Sequence, residues 1–342
     1  MIDIFVSNSD IVRDASMMAT IIPKFFPKLS VVCGIPRGGN LPANIISTRL
    51  GIPCNTPDLL MQGQYWWTTS LEVPNNRNYR TTEYTVSKDF SKANILLVDD
   101  TSFNRMGTLE KCKQAIYTKF PNAKVYKSSV YSMWDTKKSL DLYCKIISRN
   151  HWFEKDFLIR KIGGMVGADM DGFLCYDPIN SIVMNDQAYL EWNGVAVPYM
   201  IPYWKIDYVI TARLDKYRKQ TEKWLDDNNV KYDCLVMQEG TKRVGTDHAK
   251  YKSEAIAKYL VGRGKDPFYI ESSTQQAQSI YKYCNTQTFA IETMQLFGAT
   301  NIEYAYNPMF EGKSKFVHPN KESNEMLGVN KPREGARNWL FH

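Results

Sequence analysis

Short apolar runs that end in glycine or aspartate alternate along the chain with stretches of helical periodicity. This alternation is typical of an α/β protein. The predicted strands cover residues 31–34, 95–98, 124–131, 143–147, 165–168, 208–211, 232–237, 268–270 and 289–291. The predicted helices lie near residues 41–50, 109–120, 214–228, 251–261 and 275–283. We therefore expect two Rossmann-like domains, each a mostly parallel sheet flanked by helices.

Two stretches depart from the alternation. Residues 62–91 are polar and rich in Tyr, Trp, Thr and Asn, and they are too long for an ordinary connection, so we expect a functional flap. Residues 306–342 are rich in Pro, Gly, Asn and Lys, which predicts an irregular tail. Between residues 154 and 164 the sequence changes from charge to glycine. The expected domains are therefore residues 1–158 and 162–305.

The composition narrows the class of protein. With 342 residues, 44% apolar and 23% charged, the chain has the make-up of a globular protein with more than one domain. A net charge of +7 suits an anionic substrate, but no Lys/Arg block approaches a nucleic-acid-binding tail. The 7 cysteines and 4 histidines lack metal-site spacing. No apolar run reaches about 18 residues, so we expect a cytoplasmic protein without a membrane span.

Two loops of the first half have features of phosphate sites. The apolar run 95–98 is followed by acidic and hydroxyl residues and then by a predicted helix. A junction of this kind directs backbone N–H groups toward one place, where a phosphate can bind. The residues of this loop are Asp99, Asp100, Thr101, Ser102, Gly107 and Thr108. Acids there can accept hydrogen bonds from sugar hydroxyls or help hold Mg²⁺. From the residues alone, a strand end followed by a helix cap is the alternative.

The second loop follows residues 31–34 and contains Arg37, Gly38 and Gly39. Glycine permits a close backbone approach, and arginine supplies charge-assisted contacts to an anion. Together the two loops resemble those of the type I phosphoribosyltransferases, although residues 104–107 replace the Asp-Thr-Gly of many members. The resemblance implies that the first loop binds the ribose 5-phosphate of phosphoribosyl pyrophosphate and the second its pyrophosphate. It also implies that the flap closes over the sugar and excludes water.

In the second half, Asp169 and Asp171 follow a short apolar run and precede Gly172. Alternate residues of an extended chain point to the same side, so two carboxylates meet, which is costly without a cation or a proton. One carboxylate can attack phosphorus while the other protonates the leaving oxygen, and Mg²⁺ neutralises the approach of the anions. A calcium turn is the alternative, but no EF-hand-like acid cluster follows.

Further polar residues follow at later strand ends and at one helix start: Thr211, Arg213, Lys252 and Glu271. With the acid pair, this order resembles the haloacid-dehalogenase-like phosphatases without a cap domain. The resemblance implies that Asp169, Asp171, Thr211 and Lys252 are catalytic. It also implies that Thr211, Arg213 and Lys252 bind the phosphoryl group. Lys252 is preferred over Lys250 for this role, and Asp169, Asp171 and Glu271 would hold Mg²⁺.

The two resemblances together indicate a bifunctional enzyme. It would transfer ribose 5-phosphate from phosphoribosyl pyrophosphate to a heterocyclic acceptor and then remove the 5-phosphate. One alternative keeps this chemistry but places the acceptor in DNA, as in phage-type DNA modification. Another alternative is that the first domain only binds a sugar phosphate and regulates the phosphatase.

Overall fold

The computed structural model describes residues 1–62, 90–102, 107–240, 247–263 and 266–301. The described chain forms two compact units. The discontinuous unit consists of Met1–Ser7 and Asn150–Thr300, and the inserted unit contains Asn8–Arg149. The predicted flap lies outside the described residues except for its ends at residues 62 and 90–91, and the predicted tail lies entirely outside them.

The regular elements are numbered in chain order. The strands are β1 (Ile4–Val6), β2 (Val31–Gly34), β3 (Cys54–Asn55), β4 (Asn94–Thr101), β5 (Lys124–Ser132), β6 (Leu142–Ile146), β7 (His151–Phe153), β8 (Met165–Ala168), β9 (Ile206–Leu214), β10 (Tyr232–Gln238), β11 (Pro267–Glu271), β12 (Gln287–Ala290), β13 (Gln295–Phe297) and β14 (Thr300–Asn301). The helices are α1 (Asn8–Phe25), α2 (Asn40–Leu50), α3 (Pro57–Gln62), α4 (Gly107–Lys119), α5 (Asn180–Val183), α6 (Asp186–Val195), α7 (Arg218–Asp227), α8 (His248–Tyr259) and α9 (Thr274–Cys284).

The inserted unit contains a five-stranded sheet in the order β3-β2-β4-β5-β6, with every pair parallel. Its central strands are buried, as expected for parallel strands covered by helices. Helix α1 was not among the predicted helices, although its buried residues Ile11, Ala15, Met18 and Ile22 have helical spacing. That apolar face packs into the unit and helps to cover the sheet.

The discontinuous unit contains a six-stranded sheet in the order β10-β9-β8-β11-β12-β13. All pairs are parallel except β12 with β13. Strand β8 therefore lies between β9 and β11, and the carboxyl ends of these three strands meet at one edge of the sheet. The α/β fold with mostly parallel sheets confirms the predicted fold class.

The division between the units differs from the predicted boundary. Strand β1 pairs in parallel with β7, and Trp152 of β7 packs its ring 5.3 Å from Phe268 and 5.1 Å from Phe289. These aromatic contacts place Trp152 in the core of the discontinuous unit, to which residues 150–158 belong together with the first seven residues of the chain. Sequence composition marked only the change from charge to glycine, which lies several residues later.

The predicted strands and helices coincide with observed elements to within a few residues. One extension matters for the site, because β9 continues through Arg213 to Leu214 instead of ending at Thr211. Within the described ranges, no helix combines the length and apolar character needed to cross a bilayer.

Candidate functional site

A group of acidic side chains lies at the carboxyl edge of the six-stranded sheet. Asp169 follows β8 directly, and its backbone N–H donates a 2.8 Å hydrogen bond to the Ile270 carbonyl of β11. Glu271 is the last residue of β11. Because β8 and β11 are adjacent and parallel, the strand ends bring Asp169 and Glu271 together.

Lys252 joins these two carboxylates. Its Nζ donates to Asp169 Oδ2 at 2.6 Å and to Glu271 Oε2 at 2.7 Å. The lysine lies in the second turn of α8, whose N-terminus is capped by the Asp247 side chain accepting from the Lys250 N–H. Lys250 itself is exposed, so of the two lysines it is Lys252 that reaches the acids. All three charged side chains are buried, which makes their pairing necessary.

The surroundings of this triad favour the charged form of Lys252 and disfavour the charged form of Asp169. Burial opposes the charged form, yet Asp169 and Glu271 together raise the pKa of Lys252 above its usual value. Burial raises the pKa of Asp169 well above its usual range; Lys252 opposes this shift, and the nearby Glu271 and Asp171 add to it. The site therefore favours additional positive charge next to Asp169.

Asp171 has a different partner. Its Oδ1 accepts from Arg213 Nη2 at 2.6 Å and from Nε at 3.0 Å, and Oδ2 lies 3.2 Å from Nε. The arginine is fully buried, whereas the aspartate side chain is 19% exposed. We predicted that Arg213 binds a phosphoryl group; in the structure its guanidinium is instead directed at Asp171, because the extension of β9 carries it there.

Gly172 completes the turn that follows the acid pair. Its φ of +75° lies in the left-handed region, and a Cβ atom there would lie 2.5 Å from Ser272 Cβ and 2.7 Å from Asp177 Oδ2. Only glycine fits this position without displacing its neighbours. Sequence reasoning missed Asp177, although an acid shortly after the turn was a readable signal. Burial raises the pKa of Asp177, and Asp171 and Glu271 contribute while Lys252 opposes.

Thr211 lies on β9, beside β8, and is 1% exposed. Its Oγ1 accepts a 3.2 Å hydrogen bond from the Arg213 N–H, so the hydroxyl proton remains available to donate. The described structure thus brings Asp169, Lys252 and Glu271 into direct contact and places Thr211 on the neighbouring strand. Asp171 and Arg213 form a second ion pair beside them.

The donor chemistry of this site fits Mg²⁺. Four carboxylates, of Asp169, Asp171, Asp177 and Glu271, lie near two cations, Lys252 and Arg213, which leaves a formal charge of 2 − 4 = −2. Carboxylate oxygens are the protein ligands that Mg²⁺ prefers. Among the described residues, no three His, Cys, Asp or Glu side chains form a preassembled metal cluster. Asp169 and Glu271 suit the ion better than Asp171, whose carboxylate is occupied by Arg213.

In the inserted unit, the two predicted loops pack against each other. A Cβ atom at Gly38 would lie 2.4 Å from Asp100 Oδ2, and one at Gly39 would lie 2.2 Å from the Val98 carbonyl oxygen. The glycines therefore allow the loop after β2 to contact the end of β4, its parallel neighbour. Arg37 is exposed beside them.

The acidic side chains at the end of β4 accept hydrogen bonds from the backbone of the residues that follow them. Asp99 Oδ1 accepts from the Asp100 N–H at 2.9 Å, and Asp100 Oδ1 accepts from the Thr101 N–H at 2.6 Å. Gly107 and Thr108, both exposed, begin α4, whose first N–H groups lack partners within the helix. Residues 103–106 lie outside the described residues.

Ser102, which is predicted to bind phosphoribosyl pyrophosphate, has other contacts in the described structure. Its side chain is buried, and its Oγ lies 3.1 Å from Ser132 Oγ and 2.8 Å from Thr136 Oγ1. The hydroxyl therefore contributes to a buried polar cluster that joins β4 to the end of β5. Strand alternation alone could not show whether this side chain faced the loop or the interior.

Comparisons with known proteins give structural similarity at low TM-score. No protein-family model matches the chain. No curated protein matches it either. A Helicobacter pylori xanthine-guanine-hypoxanthine phosphoribosyltransferase aligns over 46% of this chain and 95% of its own, with 13% identity and a TM-score of 0.33. A purine phosphoribosyltransferase from Pyrococcus horikoshii aligns over 45% and 93%, with 18% identity and a TM-score of 0.32.

A chain from a structure of the Pnkp1/Rnl/Hen1 RNA repair complex aligns over more of the sequence, 84% of this chain and 94% of its own. Its identity is 14% and its TM-score is 0.27. Similarities of this size do not assign an activity.

Proposed function

We propose that the discontinuous unit hydrolyses phosphate monoesters through Asp169 and that the inserted unit transfers ribose 5-phosphate from phosphoribosyl pyrophosphate to a heterocyclic acceptor. The observation that carries the first part is the buried bridge of Lys252 between Asp169 and Glu271. A carboxylate at a strand end with a fixed ammonium beside it combines a nucleophile with positive charge for an incoming phosphate.

The hydrolysis takes two steps. Asp171 first takes up a proton from solvent. A carboxylate oxygen of Asp169 then attacks phosphorus, the bond from phosphorus to the ester oxygen breaks, and the leaving alkoxide takes the proton from Asp171. Water then attacks the aspartyl phosphate and gives its proton to Asp171, which releases orthophosphate and restores Asp169. Lys252 and the Thr211 hydroxyl would donate to phosphoryl oxygens. Mg²⁺ held by Asp169 and Glu271 would neutralise the approach of the anionic substrate.

The second part of the proposal is supported by the contact between the two loops of the inserted unit. Gly38 and Gly39 lie against the chain at Asp99 and Asp100, so a ligand that bridges the loops meets backbone N–H groups, the exposed Arg37 and two carboxylates. In the transfer, the bond from ribose C1 to pyrophosphate breaks and a bond from C1 to an acceptor nitrogen forms. The acceptor loses one proton, and pyrophosphate leaves.

The phosphatase is tested by orthophosphate release from ribose 5-phosphate and nucleoside 5′-monophosphates with Mg²⁺. Asp169→Asn should abolish release, because an amide cannot form the aspartyl ester. Asp233→Asn, an exposed strand residue paired with Lys205, is the matched control and should keep full activity. Full activity of folded Asp169→Asn would refute the assignment.

The transferase is tested by pyrophosphate release from phosphoribosyl pyrophosphate with a panel of purine and pyrimidine bases. Asp100→Asn should reduce release strongly, and Asp135→Asn, at an exposed position of the same unit, should not. Binding of the donor without pyrophosphate release in the presence of any base would favour a regulatory role for the inserted unit instead.

A further inference from the structure

The guanidinium of Arg213 is positioned to act on another side chain, that of Asp171. The guanidinium donates to Asp171 Oδ1 from Nη2 at 2.6 Å and from Nε at 3.0 Å, and Nε also lies 3.2 Å from Oδ2, so one group contacts both carboxylate oxygens and restrains their position. Nη2 also lies 3.3 Å from the Cys175 Sγ, which itself lies 3.4 Å from Asp171 Oδ1. The carboxylate is thus held from the protein interior.

The arginine is held in turn from its other side. Nη1 lies 3.4 Å from Thr221 Oγ1 on α7, and the guanidinium carbon lies 5.0 Å from the centre of the Trp192 ring on α6. A guanidinium over an aromatic face at this distance gains a cation–π attraction. Helix α6 belongs to the segment between β8 and β9, so this segment supports Arg213 within the unit.

The two members of the ion pair differ in how far they are buried. Arg213 is 0% exposed, whereas 19% of the Asp171 side chain reaches the surface. A substrate phosphate that enters the site can therefore meet Asp171, while the guanidinium lies behind it.

We propose that Arg213 is a positioning residue: held by Trp192 and Thr221, it fixes the carboxylate of Asp171 in the orientation needed for proton transfer and does not bind the phosphoryl group. This inference rests on the proposed phosphatase. It predicts that loss of Arg213 affects turnover and leaves phosphate binding intact.

The test compares Arg213→Met and Arg213→Lys with the wild-type protein, using kcat and KM for ribose 5-phosphate and the affinity for inorganic phosphate measured by calorimetry. Arg213→Met should lower kcat by about 10²-fold, the effect expected from a misplaced catalytic group, and leave KM and phosphate affinity within about twofold. Arg213→Lys should recover only part of kcat, because an ammonium cannot reproduce the paired Nε and Nη2 contacts. Arg218→Met, a surface residue at the start of α7, should change nothing.

A double-mutant cycle makes the inference specific. On an Asp171→Asn background, Arg213→Met should cause no further loss of kcat, because the group it positions is gone. If Arg213→Met does not fold, Thr221→Val and Trp192→Phe test the same support with smaller changes and should each lower kcat without changing phosphate affinity.

A tenfold or greater loss of phosphate affinity in Arg213→Met, or an undiminished kcat loss on the Asp171→Asn background, would overturn the inference. Unchanged kinetics in all the variants would also overturn it. These outcomes differ from failure of the proposed phosphatase, which would appear as absent hydrolysis in the wild-type protein or retained hydrolysis in Asp169→Asn.

Discussion

Replacing Lys252 by methionine tests the buried triad of Asp169, Lys252 and Glu271 in the discontinuous unit. Methionine keeps an unbranched apolar chain but removes the ammonium that contacts Asp169 and Glu271 at 2.6 and 2.7 Å. At such distances and an effective dielectric constant of about 20, each contact contributes about 6 kcal/mol of Coulomb attraction before desolvation is subtracted. Removing one partner of a buried ion pair typically costs about 3–5 kcal/mol, and we expect a loss in this range.

The loss should depend on pH in a defined direction. The pKa of Asp169 is already raised in the folded protein, mainly by burial, and removal of the ammonium raises it further. A group with a raised folded pKa stabilises the fold at low pH, and this contribution is lost as the pH rises through the folded value. The deficit of Lys252→Met should therefore be smaller at acidic pH and should grow as the pH rises.

The assay is native-state hydrogen exchange of the α8 and β11 amides at increasing urea, which reports the free energy of unfolding for this unit separately from the other. Lys250→Met on the exposed face of α8 is the matched control and should change stability by less than about 0.5 kcal/mol. A second variant, Lys252→Met with Glu271→Gln, should recover more than about 1 kcal/mol. A loss under about 1 kcal/mol at neutral pH, or one independent of pH, would refute the reasoning.

Three further predictions concern stability. Gly39→Ala places a Cβ atom 2.2 Å from a backbone carbonyl oxygen and should destabilise the inserted unit by about 1–3 kcal/mol in urea unfolding, whereas Gly107→Ala, with no neighbour within 4 Å, should not. Burial raises the pKa of Tyr251 to about 12, so its stabilising contribution is lost as the pH rises from about 10 to about 12, and Tyr251→Phe should flatten this alkaline decline in thermal melts. Asp14→Asn leaves the buried Lys145 ammonium without the carboxylate 3.1 Å away and should destabilise the inserted unit by about 3–5 kcal/mol, and an unchanged unfolding midpoint would contradict this.

The strands and the acid pair could be predicted because their signals are local. A buried parallel strand is a continuous apolar run, and residues 165–168 were predicted with the bounds that β8 has. The polar residue after each run then falls at the sheet edge, which is why Asp169 and Glu271 meet. Lys252 was expected from the resemblance to the haloacid-dehalogenase-like phosphatases.

The partner of Arg213 could not be predicted in the same way. Thr211 and Arg213 lie on the same side of an extended strand, so the sequence indicates that both face the same region. Phosphate and carboxylate are both oxyanions, and a guanidinium suits either. Only the three-dimensional path of the Asp171 turn decides between them. Trp152 illustrates the same limit, because its packing on Phe289 depends on strands far apart in sequence.

The pairing of β1 with β7 imposes an order on biosynthesis. A ribosome adding about 5–20 residues per second releases Ile4–Val6 long before His151–Phe153, so the leading strand has no partner during the interval. The intervening chain contains the whole five-stranded sheet, which can close from its own residues in that time. The discontinuous unit, in contrast, can pair β1 with β7 only after residues 8–149 have been synthesised.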